Sequence, residues 1–388
     1  MQYLDYGYIA IVLLLISLGL VMLYSTSYYS AQTKFGDDMY YFKRQAVFSL
    51  ISLVPMLGAA VIDYRIYIKW SRWILGISWI LMLLVLSPLG LEAYGARRWL
   101  RLPFGMSFQP SEIAKIAIIL IVPYLITKMG NGINKWQGWL RIIVVAGITF
   151  LICYRGTDNL STALIIFGIA YFLIIIANKK SLKFVLLAGG LAIGGIILAY
   201  YLATVMDSSG SFRIQRLLVW VNPEKYSDSG GYQIIQGLYA IGSGGFLGKG
   251  LGNSSQKLGY IPESQNDMIL SVICEELGIF GVTLLLLMFA LLLYKLLQIA
   301  KDAVDLQGSL IAMGIFGHIS LQVVLNICVV LNLIPTTGVT LPFISYGGTA
   351  VAFLLAEMGI ALSVEVQSRK AREAELAQLN AELDRQGE

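Results

Sequence analysis

Ile261-Pro262-Glu263-Ser264-Gln265-Asn266-Asp267 runs directly into Met268-Ile269-Leu270-Ser271-Val272-Ile273, and this junction decides how the chain is read. Polar residues stop where an apolar stretch of membrane-spanning length begins, so a carboxylate at position 267 would sit at a membrane surface. The junction lies within the only long polar segment, Phe212 to Gly281, of an otherwise apolar chain.

Of the 388 residues, 57% are hydrophobic and 13% charged, and the mean hydropathy is +0.73. These values lie outside the range of soluble domains. A spanning helix takes about 20 mostly apolar residues. Roughly ten such stretches occur, near 7–27, 46–62, 72–91, 111–128, 140–154, 160–177, 184–206, 267–294, 309–333 and 348–364. The expected fold class is all-α: a polytopic integral membrane helical bundle with one large extracytoplasmic loop, about 207–266, between helices seven and eight. Residues 1–365 then form a single transmembrane domain and 366–388 a charged cytoplasmic tail. The first span lacks a preceding basic residue and a small-residue cleavage site, so it reads as a retained helix. Cys153, Cys274 and Cys328 fall within or beside spans and suggest neither a disulfide framework nor a metal cluster.

The net charge of +5 is a topology signal here, and nucleic acid is not an expected partner. With both termini in the cytoplasm, about 15 basic residues face inward and about seven lie in short outer loops. Lys34, Lys43 and Arg44, just after the first span, run against that bias and ask for a functional reason.

Several motifs cluster on the outer face. Gly95-Ala96-Arg97-Arg98-Trp99 leads to Gln109-Pro110-Ser111-Glu112, where Pro110 and Ser111 fit a helix start. Glu112 and Lys115 lie three residues apart and share a helix face. Ionisable groups at membrane depth mark a functional cavity or form a structural pair. Asp158, in Arg155-Gly156-Thr157-Asp158-Asn159, is a candidate cap for the sixth span. Arg213 and Arg216 also share a face if helical, and their planar guanidinium groups suit phosphate oxygens. Tyr232 to Ile241 is amphipathic. Gly242-Ser243-Gly244-Gly245-Phe246-Leu247-Gly248-Lys249-Gly250 provides a backbone free to approach a ligand closely. It is not a nucleotide P-loop, because Ser243 and Gly250 stand where that motif needs Gly and Ser or Thr.

At the opening junction, Asn266 or Asp267 reads either as a helix N-cap or as a functional carboxylate. A helix N-terminus stabilises the ionised form, so Asp267 is expected to be anionic and to suit a base or metal ligand. His318, Gln322 and Asn326 form one polar stripe, which in a bundle reads first as glue between helices. The turn Asn332 to Gly348, with Pro335, Pro342 and the adjacent Gly347 and Gly348, is irregular backbone at membrane depth, expected to line a cavity. In the tail, Leu376, Leu379 and Leu383 share one side of a solvated helix.

Taken in order, the Arg97-Arg98-Trp99, Gln109-Pro110-Ser111-Glu112, Gly244-to-Gly250, Pro262-Glu263 with Asp267, Glu275-Glu276-Leu277-Gly278 and Leu341-to-Gly348 motifs resemble the SEDS proteins (shape, elongation, division and sporulation). The likeness extends to about residue 365. Asp37 to Gln45 is more similar to the FtsW and SpoVE branch than to RodA. Thr157-Asp158-Asn159-Leu160-Ser161 departs from the family's Pro-Asp-Leu-Gly-Thr, which puts a role for Asp158 in doubt. The resemblance implies a peptidoglycan glycosyltransferase that polymerises lipid II at the outer face of the bacterial cytoplasmic membrane. Asp267 is the implied catalytic residue, as base or as ligand of a divalent cation such as Mg or Mn. Arg98, Trp99, Glu112, Lys115, Arg213, Arg216, Lys249, Glu263 and Ser345 are the expected substrate-binding residues. Implied partners are lipid II and undecaprenyl pyrophosphate, a class B penicillin-binding transpeptidase and other divisome or elongasome membrane proteins. A lipid II flippase and a non-catalytic scaffold that activates the transpeptidase are the alternatives.

Overall fold

A computed structural model describes residues 3–93, 96–101, 107–205 and 212–386. The chain is a helical membrane bundle. Its long helices are α1 (Tyr6–Phe35), α2 (Tyr40–Val61), α3 (Tyr64–Leu84), α4 (Pro110–Met129), α5 (Trp136–Gly156), α6 (Leu160–Ala177), α7 (Ser181–Val205), α10 (Ile269–Asp302), α11 (Leu306–Val330) and α12 (Ala350–Gln386), with shorter α8 (Phe212–Val221) and α9 (Gly231–Gly244) between α7 and α10. Among the described residues, nine helices are long and apolar enough to cross a membrane. The tenth expected span is α3, which has 21 residues but carries Arg65, Lys69 and Arg72 in its first half. Arg65 and Lys69 fall between the apolar stretches near 46–62 and 72–91, and Arg72 at the edge of the second. They extend the helix because Asp63 caps its N-terminus, accepting from the Arg65 N–H, and Arg72 lies over the Tyr124 ring.

Most helices outrun their apolar stretches at one end. Backbone hydrogen bonding continues wherever caps permit, whereas hydropathy marks only the part within lipid. Thus α1 is capped by Asp5, continues through Tyr24-Ser25-Thr26-Ser27-Tyr28 and stops at Gly36, which takes a left-handed conformation. The last span and the tail share one helix, since α12 runs unbroken from Ala350 to Gln386. Its described side chains are largely buried as far as Ser368 and exposed beyond.

The core lies where α4, α11 and α12 meet their neighbours: α12 packs on α2, α4 on α3, and α11 on α6 and α10. In contrast, α7 buries only Phe184 and Ala203. The exposed apolar residues of α2, including Val47, Leu50, Ile51 and Val54, suit lipid as solvent. One addition to the all-α expectation is a small antiparallel sheet between α3 and α4, with β1 (Gly90–Ala93), β2 (Ala96–Arg101) and β3 (Ser107–Phe108) in that order. Its register pairs Leu91 with Trp99 and Leu100 with Phe108, which brings Arg98 and Trp99 over the end of the bundle.

The eighth expected span is broken. Inside α10, Gly278 has φ 65° and ψ −170°, separating a short half-helix, Ile269 to Leu277, from the rest. The Gly-rich segment fills the break: the Lys249 and Gly250 N–H groups donate to the Glu275 and Glu276 carbonyls, and the Ile279 and Phe280 N–H groups donate to the Gly245 and Phe246 carbonyls. The glycines are required for this approach. A Cβ on Gly244 would lie 2.0 Å from the Cys274 oxygen, and one on Gly248 would lie 2.2 Å from the Glu276 oxygen. The segment therefore approaches α10 closely rather than a ligand.

Candidate active site

At the end of the bundle that carries the sheet, a cavity of about 540 Å³ opens between β2, α4, α6, α9, the junction before α10, and the turn between α11 and α12. Asp267, Glu263, Glu112, Lys115, Arg98 and Trp99 all line it, so six of the residues expected from sequence share one space.

Asp267 precedes the half-helix without capping it. The N-cap position is Met268, which makes no side-chain cap bond, so the N-cap reading of Asn266 and Asp267 does not hold. The Asp267 carbonyl accepts from the Asn326 side-chain amide at 2.9 Å, and the same amide donates to the Val339 carbonyl at 2.8 Å. Asn326 thus fixes Asp267 against the turn that forms the opposite wall. The neighbouring carbonyl of Gln265 accepts from the Tyr346 N–H at 2.9 Å.

Burial pushes the Asp267 carboxyl up from its ordinary range. The Glu263 charge acts in the same sense, while the N–H groups of Asp267 and Met268 and the Arg216 guanidinium oppose it. The shift runs against the expectation drawn from the helix terminus, because loss of water outweighs the few N–H dipoles of a short half-helix. A raised carboxyl still serves as a base, and its proton affinity moves closer to the working pH.

Glu263 adopts φ 52°, an uncommon backbone conformation for a residue with a Cβ. It is held there by Lys34 at 3.0 Å and by the side-chain amides of Gln265 and Asn266. Lys34, one of the outer basic residues that asked for a reason, tethers α1 to the junction. Glu112 and Lys115 pair at 2.8 Å, both largely buried, and line the cavity as a neutral dipole. Arg98 donates to the Asp158 carbonyl at 3.4 Å. Asp158 does not cap α6; the cap is Asn159, whose side chain accepts from the Thr162 N–H.

Arg216 lies on α8, and its Nη1 donates to the Thr336 carbonyl at 3.2 Å, close enough for its charge to act on Asp267. Arg213 is on the same helix, but its side chain lies outside the described residues. Two expected binding residues are placed elsewhere. Lys249 pairs with Glu275 at 2.6 Å, because the Gly-rich segment carries it into the break of α10. Ser345 is buried, and its hydroxyl accepts from the Leu341 N–H at 2.9 Å, closing its own turn instead of facing the cavity.

Sequence reading assigned Gln322 to helix packing, yet it both bonds the Thr340 carbonyl and lines the cavity. Gln233, Asn159, Ser161, Tyr41, Tyr346 and Thr349 join it there. Their one sequence signal was membership of polar turns at the same predicted face. Deeper in the bundle, His318 Nδ1 and Glu357 form a buried pair at 2.7 Å. Among the described residues, no group of three or more His, Cys, Asp or Glu side chains could hold a metal.

Comparison with known proteins agrees with this architecture. The family of cell cycle proteins FtsW, RodA and SpoVE matches residues 6–370. Stage V sporulation protein E of Bacillus subtilis is 39% identical over 93% of this chain and 96% of its own length. A probable peptidoglycan glycosyltransferase FtsW of Geobacter sp. is 35% identical over 94% and 98%. Among solved structures, a peptidoglycan synthase complex that coordinates polymerization and crosslinking superposes with TM-score 0.75 at 25% identity, covering 95% of this chain and 99% of that one. Rod shape determining protein RodA of Thermus thermophilus gives 0.66 at 24% identity, covering 93% and 96%, a likeness of fold. The chain belongs to the FtsW/RodA/SpoVE family, the SEDS membrane proteins.

Proposed function

We propose that the chain polymerises lipid II into β-1,4-linked glycan strands, with Asp267 as the base. The observation that carries this reading is the Asp267 carboxyl, raised by burial, in a cavity shared with Glu263, Glu112, Lys115 and Arg98. Relatives named as peptidoglycan glycosyltransferases, similar over nearly the whole chain, support the reaction class.

The donor sugar is α-linked to polyprenyl pyrophosphate and the product is β-linked, so one in-line displacement with inversion suffices. Asp267 takes the proton from the acceptor's 4-hydroxyl as that oxygen bonds to the donor anomeric carbon. The bond from that carbon to the pyrophosphate oxygen breaks, and its electron pair leaves with the pyrophosphate. No general acid is needed once that charge is balanced. Arg98 at the cavity wall and Arg216 on α8 supply positive potential, while the charge of Lys115 is balanced by Glu112. Glu263 is already engaged by Lys34, Gln265 and Asn266, so it serves to shape the junction.

Asp267 would hold a divalent cation, since Mg²⁺ sites commonly use only one or two carboxylates with phosphates and water. The ion would supply neutralisation of the leaving group. The cavity is assigned to the outer face of the cytoplasmic membrane, with both termini inside. The partner is a class B penicillin-binding transpeptidase, a reading supported by the synthase complex of the same fold. Division or sporulation is the favoured setting, from the named relatives.

The test is to give the purified chain lipid II, with and without a co-purified transpeptidase and divalent cation. Glycan strands are expected. Lipid II crossing a vesicle bilayer without polymer would favour a flippase, and neither activity under any condition would favour a scaffold.

A further inference from the structure

Two consecutive buried acids, Glu275 and Glu276, stand just before the break in α10, and the loop before Asp267 answers each with a lysine. Glu275 takes Lys249 at 2.6 Å together with the hydroxyl of Ser254 and the Ser255 N–H. Glu276 takes Lys257 at 2.7 Å, with side chains 0% and 1% exposed. The Ser25 hydroxyl donates to the Glu276 carboxylate, lying 2.8 and 2.6 Å from its two oxygens. Lys257 also donates to Ser25 at 2.9 Å and lies over the Tyr28 ring. None of these residues lines the cavity, and the reaction described above uses none of them.

Burying a lysine and a carboxylate is costly unless each is fully engaged, and such a pair adds little net stability over apolar packing. It does hold one geometry. Here that geometry closes a ring: Lys257 and Glu276 lie on either side of Asp267 in sequence, and their pair ties the approaching loop to the far end of the half-helix that Asp267 precedes. Ser264 adds a hydroxyl bond to the Thr26 carbonyl, so the ring is seated on α1. Gly278 uncouples the half-helix from the rest of α10, so this clasp acts with the Asn326, Tyr346 and Lys34 bonds in setting where Asp267 points.

We propose that Lys257, Glu276 and Ser25 form a buried clasp that positions the Asp267 junction for catalysis. This rests on Asp267 being the base, and the test reads the clasp separately from that role. In the clasp, Lys257 and Glu276 are positioning residues. Misplacing a catalytic group by about 1 Å can cost about 100-fold in rate without weakening binding.

The experiment compares full-length wild type, Lys257→Met/Glu276→Leu, Lys257→Arg, Ser25→Ala and Asp267→Asn, measuring lipid II polymerisation and amide hydrogen exchange across residues 258–267. The double variant removes both charges together, so no buried ion is orphaned. Expected are a kcat at least about tenfold lower with KM within about twofold, and exchange in 258–267 at least about tenfold faster, with the bundle otherwise protected. Lys257→Arg should restore kcat to near wild type. Ser25→Ala, which leaves the ion pair in place, should give a smaller rise in exchange in the same segment and a smaller fall in kcat, and it decides the matter if the double variant does not fold. Unchanged exchange, or faster exchange with full kcat, overturns the proposal. Should Asp267→Asn polymerise normally, the base assignment falls, while the exchange arm still reports whether the clasp holds the junction.

Discussion

At the residue scale the chemistry turns on how burial treats charge. Asp267 has its carboxyl raised by loss of water, from about 4 in an unfolded chain. A raised folded value means that folding disfavours the ionised form. Stability therefore falls as pH rises from the unfolded value through the folded one, and it is lowest above both. Asp267→Asn should accordingly leave Tm at pH 7 unchanged or higher, as thermal unfolding in detergent will show. For the same reason the acid limb of the rate profile should lie above pH 4, with activity lost as pH drops through it. Lys34 and Glu263 are a different case. Their pair is partly exposed, 51% and 24%, so Lys34→Ala should cost no more than about 1 kcal/mol in denaturation. The types of these residues were legible in the sequence, and so was their gathering at one face. The direction of the Asp267 shift was not, because dipole reasoning sees the helix end but not the walls that exclude water.

At the scale of elements, apolar run length located every long helix and missed what lies at their ends. The sheet of β1 to β3 is short and polar, and carries too few residues for an alternation pattern. The break in α10 was written in Glu275-Glu276-Leu277-Gly278, yet a single glycine in an apolar run does not announce a left-handed residue. The partner of Lys249 was hidden for the same reason, since it becomes visible only when the break frees the Glu275 and Glu276 carbonyls for the Gly-rich segment. Gly278→Ala tests the break. Its φ of 65° disfavours any Cβ, and that Cβ would lie 2.4 Å from the Gly248 nitrogen. The conformational cost alone is about 1–3 kcal/mol, so with the clash we expect loss of at least about 3 kcal/mol or failure to accumulate folded protein, measured by thermal unfolding.

At the scale of the whole molecule, the helical bundle forms a frame whose sheet-bearing end holds the candidate site. The extension of α12 beyond Ser368 projects from the frame with Leu376, Leu379 and Leu383 exposed at 58%, 53% and 59%. Deleting residues 374–388 should therefore change stability by less than about 0.5 kcal/mol and leave polymerisation by the isolated chain intact, read by unfolding and glycan yield. Composition had separated membrane bundle from soluble domain at once, and family resemblance had supplied the reaction. Helix packing then showed which expected residues share the cavity. The measurement that bears most directly on the central claim is lipid II polymerisation by Asp267→Asn against wild type, both purified and shown to be folded. We predict glycan strands from wild type and a loss of at least about 100-fold in the variant, the scale of general-base catalysis; equal polymer from both would contradict the assignment of Asp267 as the base.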